Sequence, residues 1–145
     1  MKKIQIIVGS VLGASEYVAD ALSEKLQSEG FATTVHLEPS FNDIDPEDCW
    51  LICTSTHGAG DLPDNIQAFA EALESATLPE LPYMVISLGD SSYDTFCNGG
   101  STIHRLMKET QAKPLSEPFE IDVLQHPIPE DIALEWLESH INLFK

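Results

Sequence analysis

The sequence predicts an α/β fold: a five-stranded parallel sheet in the order 2-1-3-4-5 with helices on both faces. Three observations point there. Strand-like apolar runs alternate regularly with helical stripes, which implies a parallel sheet covered on both sides. Three of the five runs are continuously apolar and belong at the centre, whereas the other two alternate and belong at the edges. The order 2-1-3-4-5 is the common doubly wound arrangement that meets both conditions.

The first run, residues 4–8, is almost wholly apolar and reads as a strand buried on both faces. A helical stripe follows, with Ser15, Val18, Ala19, Leu22 and Leu26 at spacings of three and four, and Gly30 as its stop. The second strand, residues 33–38, places Thr33, Val35 and Leu37 on one face and Thr34, His36 and Glu38 on the other. After a polar connector, residues 49–53 form the third strand, again apolar throughout. Pro63 and Asp64 then start a helix whose buried stripe is Ile66, Phe69, Ala70 and Leu73. Residues 84–88 are the fourth strand, and the helix after it starts near Ser101 with Ile103, Leu106 and Met107 inward. The fifth strand alternates Phe119, Ile121 and Val123 with Glu120, Asp122 and Leu124. Pro129 opens the last helix, with Ile132, Trp136, Leu137 and Ile141 inward. No linker, repeat or low-complexity tract interrupts this series, so residues 1–145 read as a single domain.

Composition narrows the function. There are 24 acidic and 7 basic residues, a formal charge of −17, which repels nucleic acid and anionic membranes and attracts basic protein surfaces. The 3 cysteines are no disulfide framework. Cys49 and Cys53 share a strand, so roughly 13 Å separates them, too far for a disulfide or a common metal. Lys2 and Lys3 lead into too short an apolar run for a signal peptide, and no run approaches the roughly 20 residues of a membrane span. These features suit a reducing cytoplasm.

Three loops meet where the strand order reverses, at the carboxyl ends of strands 1, 3 and 4. The first, Ser10, Val11, Leu12, Gly13, Ala14 and Ser15, leads from a strand into a helix. Its small residues let backbone N–H groups approach an anion, Ser10 and Ser15 add hydroxyl donors, and the helix N-terminus adds its dipole. It is neither a P-loop nor a dinucleotide fingerprint. The second loop carries His57 in a glycine-rich setting, with no second ligand spaced for a metal. The third carries Gly89, Asp90, Tyr93, Asp94, Phe96 and Cys97, and Tyr93 is placed to lie against a flat ligand. An anion site beside two flat side chains suits a phosphorylated aromatic cofactor such as FMN. No residue is assigned a catalytic role.

The residues also match a known pattern. Over its full length the chain resembles the flavodoxins, and it is especially similar to the short-chain MioC-type FMN-binding proteins. The resemblance rests on Ser55-Thr56-His57-Gly58-Ala59-Gly60-Asp61 with Pro63-Asp64-Asn65, and on Gly89-Asp90-Ser91-Ser92-Tyr93 with Phe96-Cys97. It implies a flavodoxin-like three-layer sandwich, with no room between Lys113 and Pro129 for the insertion that splits the last strand in long-chain members. The implied roles are phosphate binding by the loop from Ser10 to Ser15, ring contacts from Thr54, Ser55, Thr56, His57, Gly58, Ala59 and Gly60, and stacking by Tyr93. Two departures stand out. Leu12 and Ala14 replace the Thr and Asn of the usual phosphate loop, and the inner-face aromatic is His57, so weaker FMN binding than in typical flavodoxins is expected.

The function so implied is a one-electron carrier in which the protein sets the potentials and shields the ring. Asp61, Asp90, Asp94 and the net charge should disfavour the anionic reduced flavin and lower the second reduction potential. A flavin reductase is the expected donor and an iron–sulfur or radical enzyme of the biotin synthase kind the expected acceptor, the protein being a monomer or weak homodimer. An FMN-dependent quinone or nitro reductase is the alternative, although no basic cluster marks an NADPH phosphate site. A phospho-receiver domain would need carboxylates where Gly9-Ser10 and Ser55-Thr56 stand.

Overall fold

The computed structural model describes residues 2–11, 13–57 and 60–145. The continuously apolar runs become the middle of the sheet, as expected. β1 (Lys3–Gly9), β3 (Cys49–Thr54) and β4 (Pro82–Gly89) lie side by side, buried on both faces over nearly their whole length. β2 (Ala32–His36) flanks β1, and the far lane beside β4 is filled in two pieces, β5 (Lys113–Pro114) and β6 (Phe119–Asp122). All pairings are parallel, and the lane order is 2-1-3-4-5. Only residues 115–118 separate β5 from β6, so the split is a local break in pairing rather than an inserted loop.

Alternation along each central strand sends residues to opposite layers. Ile4, Ile6, Val8, Leu51, Cys53, Met84 and Ile86 join α1 (Ala14–Ser28) and α4 (Pro129–His140) in one core. Ile7, Trp50, Ile52, Tyr83 and Val85 join α2 (Gln67–Leu73) and α3 (Asn98–Glu109) in the other. A 3-10 turn, Asp64–Ile66, precedes α2, and another, Ile141–Phe144, follows α4.

Four local expectations shift, the first being that the strand expected to alternate through Val123 and Leu124 ends at Asp122. Ala133 rather than Ile132 completes the buried stripe of α4 with Trp136 and Leu137, while Ile132 and Ile141 are only half-buried. Leu37 lies beyond the end of β2 and is exposed. The third helix begins at Asn98, three residues earlier than the sequence suggests. Gly99 and Gly100 are responsible: they let the first turn of α3 press against the sheet rather than form part of the loop. A Cβ on Gly99 would stand 2.5 Å from the Ser55 carbonyl oxygen, and one on Gly100 would overlap Ser87.

Register decides what the sheet presents at its carboxyl edge. Gly9 pairs with Thr54, Thr54 with Ser87, and Gly89 with Asp122. The loops after β1, β3, β4 and β6 therefore emerge side by side.

Candidate functional site

A cavity of about 360 Å³ opens at this edge. Val11 and Ala14 come to it from the first loop and the start of α1, and Ser55, Thr56 and His57 from the loop after β3. Leu88, Gly89, Asp90, Tyr93, Thr95 and Phe96 come from the end of β4 and its loop, and Val123 from the residue after β6. The size is ordinary for a small-molecule site, and the lining is largely apolar with a few polar groups. Both flat side chains singled out in the sequence, His57 and Tyr93, border it, and both are exposed.

Hydrogen bonds between loops fix these walls. Asn65 ties the first: its side-chain carbonyl accepts from Ser10 N–H at 2.9 Å, while its amide donates to the carbonyls of Val8 and Leu37, each at 2.8 Å. One side chain thus holds the exit of β1 against the exit of β2. Within that loop the Ser10 hydroxyl accepts from Gly13 N–H at 2.9 Å, and Gly13 has φ 93°, a left-handed conformation that glycine adopts without strain. Truncating Asn65 to Ala leaves three backbone groups, two of them partly buried, without this partner. It should cost about 2 kcal/mol or more of stability, read as a lower denaturation midpoint, and weaken any ligand held by the first loop.

The second wall is a tight hairpin in which His57 N–H donates to the Asp61 carbonyl at 2.7 Å and Asp61 N–H returns the bond at 2.9 Å. Two contacts dock it onto α3. Thr56 Oγ1 accepts from Gly99 N–H at 2.9 Å, capping the helix from outside, and the Asn98 amide donates to the Gly60 carbonyl at 2.7 Å. Gly60 has φ 100°, again a position suited to glycine.

The third wall is organised by Asp90 and Asp122. Asp90 Oδ1 accepts from Ser92 N–H at 2.9 Å, and Tyr93 N–H donates to the Asp90 carbonyl at 3.1 Å, a turn that lifts Tyr93 outward. Asp122 Oδ1 accepts from Ser91 N–H at 3.2 Å and Leu124 N–H at 3.1 Å, joining the end of β6 to this loop. Hydrogen bonds from Ser91 hold the Asp122 carboxyl below its ordinary pKa. Because the folded value is the lowered one, this tie is intact at neutral pH and is lost as pH falls through the acid range below about 4.

The other residues expected at the site divide into three groups. Ser10, Gly13, Gly60 and Asp94 stand in the surrounding loops without lining the cavity, and Thr54 is fully buried at the end of β3 with its hydroxyl donating to the Ser55 carbonyl. Ser15 and Cys97 are buried: the Ser15 hydroxyl pairs with Ser55 Oγ at 2.7 Å, and the Cys97 Sγ contacts the Ser87 carbonyl at 3.4 Å beneath the third loop. Burial pushes the Cys97 thiol up to about 11, so Cys97 shapes the floor of the loop instead of facing a ligand. Leu12, Gly58 and Ala59 lie outside the described residues. Leu88, Thr95 and Val123 line the cavity without having been expected there; the tail of each strand run is the only sequence signal for Leu88 and Val123. Among the described residues no group of three or more His, Cys, Asp or Glu could hold a metal ion. No helix among them is long and apolar enough to cross a membrane.

A parallel 2-1-3-4-5 sheet with a ligand-sized cavity at its switch point, bordered by His57 and Tyr93, is a flavodoxin-like architecture. This chain belongs to the flavodoxin family, whose profile, described as Flavodoxin, matches residues 6–136. It is 43% identical over 147 residues to Protein MioC of Escherichia coli strain K12, covering 100% of both chains. Flavodoxin YqcA of the same strain is 39% identical over 143 residues, covering 96% of each. A C101S mutant of flavodoxin from Pseudomonas aeruginosa superposes with a TM-score of 0.91 at 32% identity, covering 98% of each chain. Members of the family are electron carriers rather than enzymes, and their cofactor is FMN.

Proposed function

We propose that this protein binds FMN in the carboxyl-edge cavity, with the ring between His57 and Tyr93, and carries single electrons from a flavin reductase to an iron–sulfur or radical enzyme. The observation that carries this reading is the cavity itself: a slot of ligand size whose two flat side chains come from loops after different strands. The experiment is an FMN titration of the apoprotein followed by flavin fluorescence; saturable quenching supports the reading, and absence of uptake refutes it.

The residues present fit the group. Val11, Leu88, Phe96 and Val123 give the slot apolar contacts for a flat ring, while Ser55, Thr56 and Asp90 give its rim polar atoms. At the other end, the first turn of α1 has N–H groups free of intrahelical partners. The Ser10 hydroxyl accepts from Gly13, which leaves its own hydrogen for a phosphate oxygen. One hydroxyl of the Ser15–Ser55 pair likewise keeps a free hydrogen, so Ser55 can donate into the cavity while Ser15 stays buried. No Lys or Arg lines the slot, and Ala14 offers no side-chain donor. The phosphate would be held by hydroxyls, backbone and helix dipole alone, which supports weaker FMN binding than in typical flavodoxins.

Bound FMN would supply one-electron chemistry; the chain's part is to orient, shield and bias it. Tyr93 would cover one face and His57 the other, on loops whose backbones are tied down by Asp122, Asp61 and α3. Asp90 stands in the lining and Asp61 and Asp94 nearby, so negative charge added to the ring meets a negative field. Replacing Asp90 by Asn should raise the lower of the two one-electron potentials, and replacing Asp94 by Asn should raise it less. Spectroelectrochemical titration of the two variants measures the ranking, and equal, null shifts would remove the electrostatic argument.

The same field supports basic partners, with electron-transfer rates falling as salt rises. We further propose that residues 1–145 act as one domain and that the protein works in the cytoplasm. Both rest on the continuity of the sheet through the chain and on three free cysteines, Cys49, Cys53 and Cys97.

A further inference from the structure

The end of the site that would take the cofactor's phosphate is hydrogen-bonded to itself. Ser10 N–H donates to Asn65 Oδ1 and Gly13 N–H to Ser10 Oγ, each at 2.9 Å, so neither of these first-loop amides is free for an anion. The Ser15 hydroxyl is buried and paired with Ser55 Oγ at 2.7 Å. Ala14, which lines the cavity at the start of α1, has no side-chain donor. What remains is the hydrogen of the Ser10 hydroxyl and the first N–H groups of α1, which lack intrahelical partners.

Electrostatics opposes an anion at the same place. Glu16 is half-buried in the first turn of α1, where its carboxylate complements the positive end of the helix dipole and so competes with a phosphate for it. Asp64 immediately precedes Asn65, and Glu38 immediately follows Leu37, whose carbonyl takes the Asn65 amide. Carboxylates thus stand on α1 and beside both ends of the tie that holds the first loop. No cation offsets them, because none of the 7 Lys and Arg lies in a loop at this edge. Lys2, Lys3 and Lys145 border a groove at the opposite edge, Lys113 begins β5, and Lys25, Arg105 and Lys108 lie in the last two turns of α1 and α3. A phosphate dianion therefore enters an unscreened negative field on a chain of formal charge −17. The other end of the cavity differs in kind. Val11, Leu88, Phe96 and Val123, with Tyr93 and His57, offer contacts that an uncharged ring can use in full.

We propose that this site selects a flavin by its ring and not by its phosphate, so that riboflavin is a ligand nearly as good as FMN. A cradle with several free charge-assisted donors would separate the two by roughly a thousandfold or more. Here the separation should be about tenfold or less, since those donors are spent within the protein and the remaining ones face carboxylates. The Asn65 tie also keeps the first loop formed without an anion, so riboflavin meets an ordered site and loses nothing by leaving the phosphate position empty.

Riboflavin uptake presupposes the flavin-binding cavity proposed above, and one set of titrations separates the two claims. Apoprotein is titrated with FMN and with riboflavin at low and at high salt, followed by flavin fluorescence. At low salt the two dissociation constants should agree within about tenfold. Raising the salt should tighten FMN, by screening the carboxylates, and leave uncharged riboflavin unchanged. In the Glu16→Gln variant FMN should bind about two- to fivefold tighter, with riboflavin again unchanged. A preference for FMN beyond about tenfold overturns the inference. So does FMN binding that weakens as salt rises, the mark of a cationic phosphate subsite. A Glu16→Gln variant that moves both flavins alike, or neither, overturns it as well, because Glu16 then does not act on the phosphate. Wild-type protein that takes up neither flavin refutes the flavin-binding reading instead.

Discussion

Replacing Tyr93 by Ala is expected to weaken FMN binding by about 10- to 100-fold. Tyr93 is 62% exposed, so its ring is available to a ligand rather than engaged in the core. Its backbone position is nevertheless fixed, by its own N–H to the Asp90 carbonyl and by the Asp122 tie to Ser91 two residues before. A flat ligand therefore gains a large aromatic contact without having to order the loop, which is where preorganisation adds to affinity. An aromatic pair contributes about 0.5–1.5 kcal/mol beyond the area it buries, and the buried area adds a comparable amount, giving the range above at ~1.4 kcal/mol per tenfold. His57→Ala should cost less, about tenfold or below, because imidazole covers less of the ring. The ratio of the two losses is the informative quantity. A larger loss for His57 would move the centre of the site onto the loop after β3.

Replacing Gly100 by Ala is expected to destabilise the fold by about 3 kcal/mol or more, at the upper end for overpacking a core. The new Cβ would overlap the Cβ and Oγ of Ser87, which is buried near the carboxyl end of the central strand β4 and donates to the Cys97 carbonyl at 3.2 Å. Neither side can move freely: β4 is paired on both sides, and the first turn of α3 is held by Thr56 Oγ1 and, through the Asn98 amide, by the Gly60 carbonyl. The midpoint of thermal unfolding should fall by about 6–12 °C for a chain of this size. Adding Ser87→Gly removes two of the overlapping atoms and should restore part of the loss. A Gly100→Ala protein as stable as wild type would mean that α3 does not approach the sheet this closely.

The central sheet was legible because burial on both faces leaves an unbroken apolar run, and residues 4–8, 49–53 and 84–88 have one. The edges were legible from alternation, though the break between β5 and β6 was not: Ser116 and Pro118 are turn residues, but nothing local marks the two-residue pairing of Lys113 and Pro114 with β4. Gly99 and Gly100 read as loop residues in the sequence, yet their role is close approach of a helix to a strand. That requirement depends on Ser55 and Ser87, which are far away along the chain. The same distance hides the inter-loop ties. Asn65 reaches Ser10 across 55 residues and Asp122 reaches Ser91 across 31, so neither pairing leaves a local pattern. Cys97 directly follows Phe96, so in the sequence the two read as one motif. The left-handed backbone of Cys97, φ 55°, turns the chain into α3 and places the thiol beneath the loop, on the Ser87 carbonyl, while Phe96 borders the cavity.

The most direct test of the central claim is a potentiometric titration of the FMN-loaded protein at neutral pH, followed in the visible spectrum. A one-electron carrier with a carboxylate-rimmed ring should take up its two electrons in separate steps, the second at a potential well below that of free FMN. A single two-electron step near the potential of free FMN would contradict it.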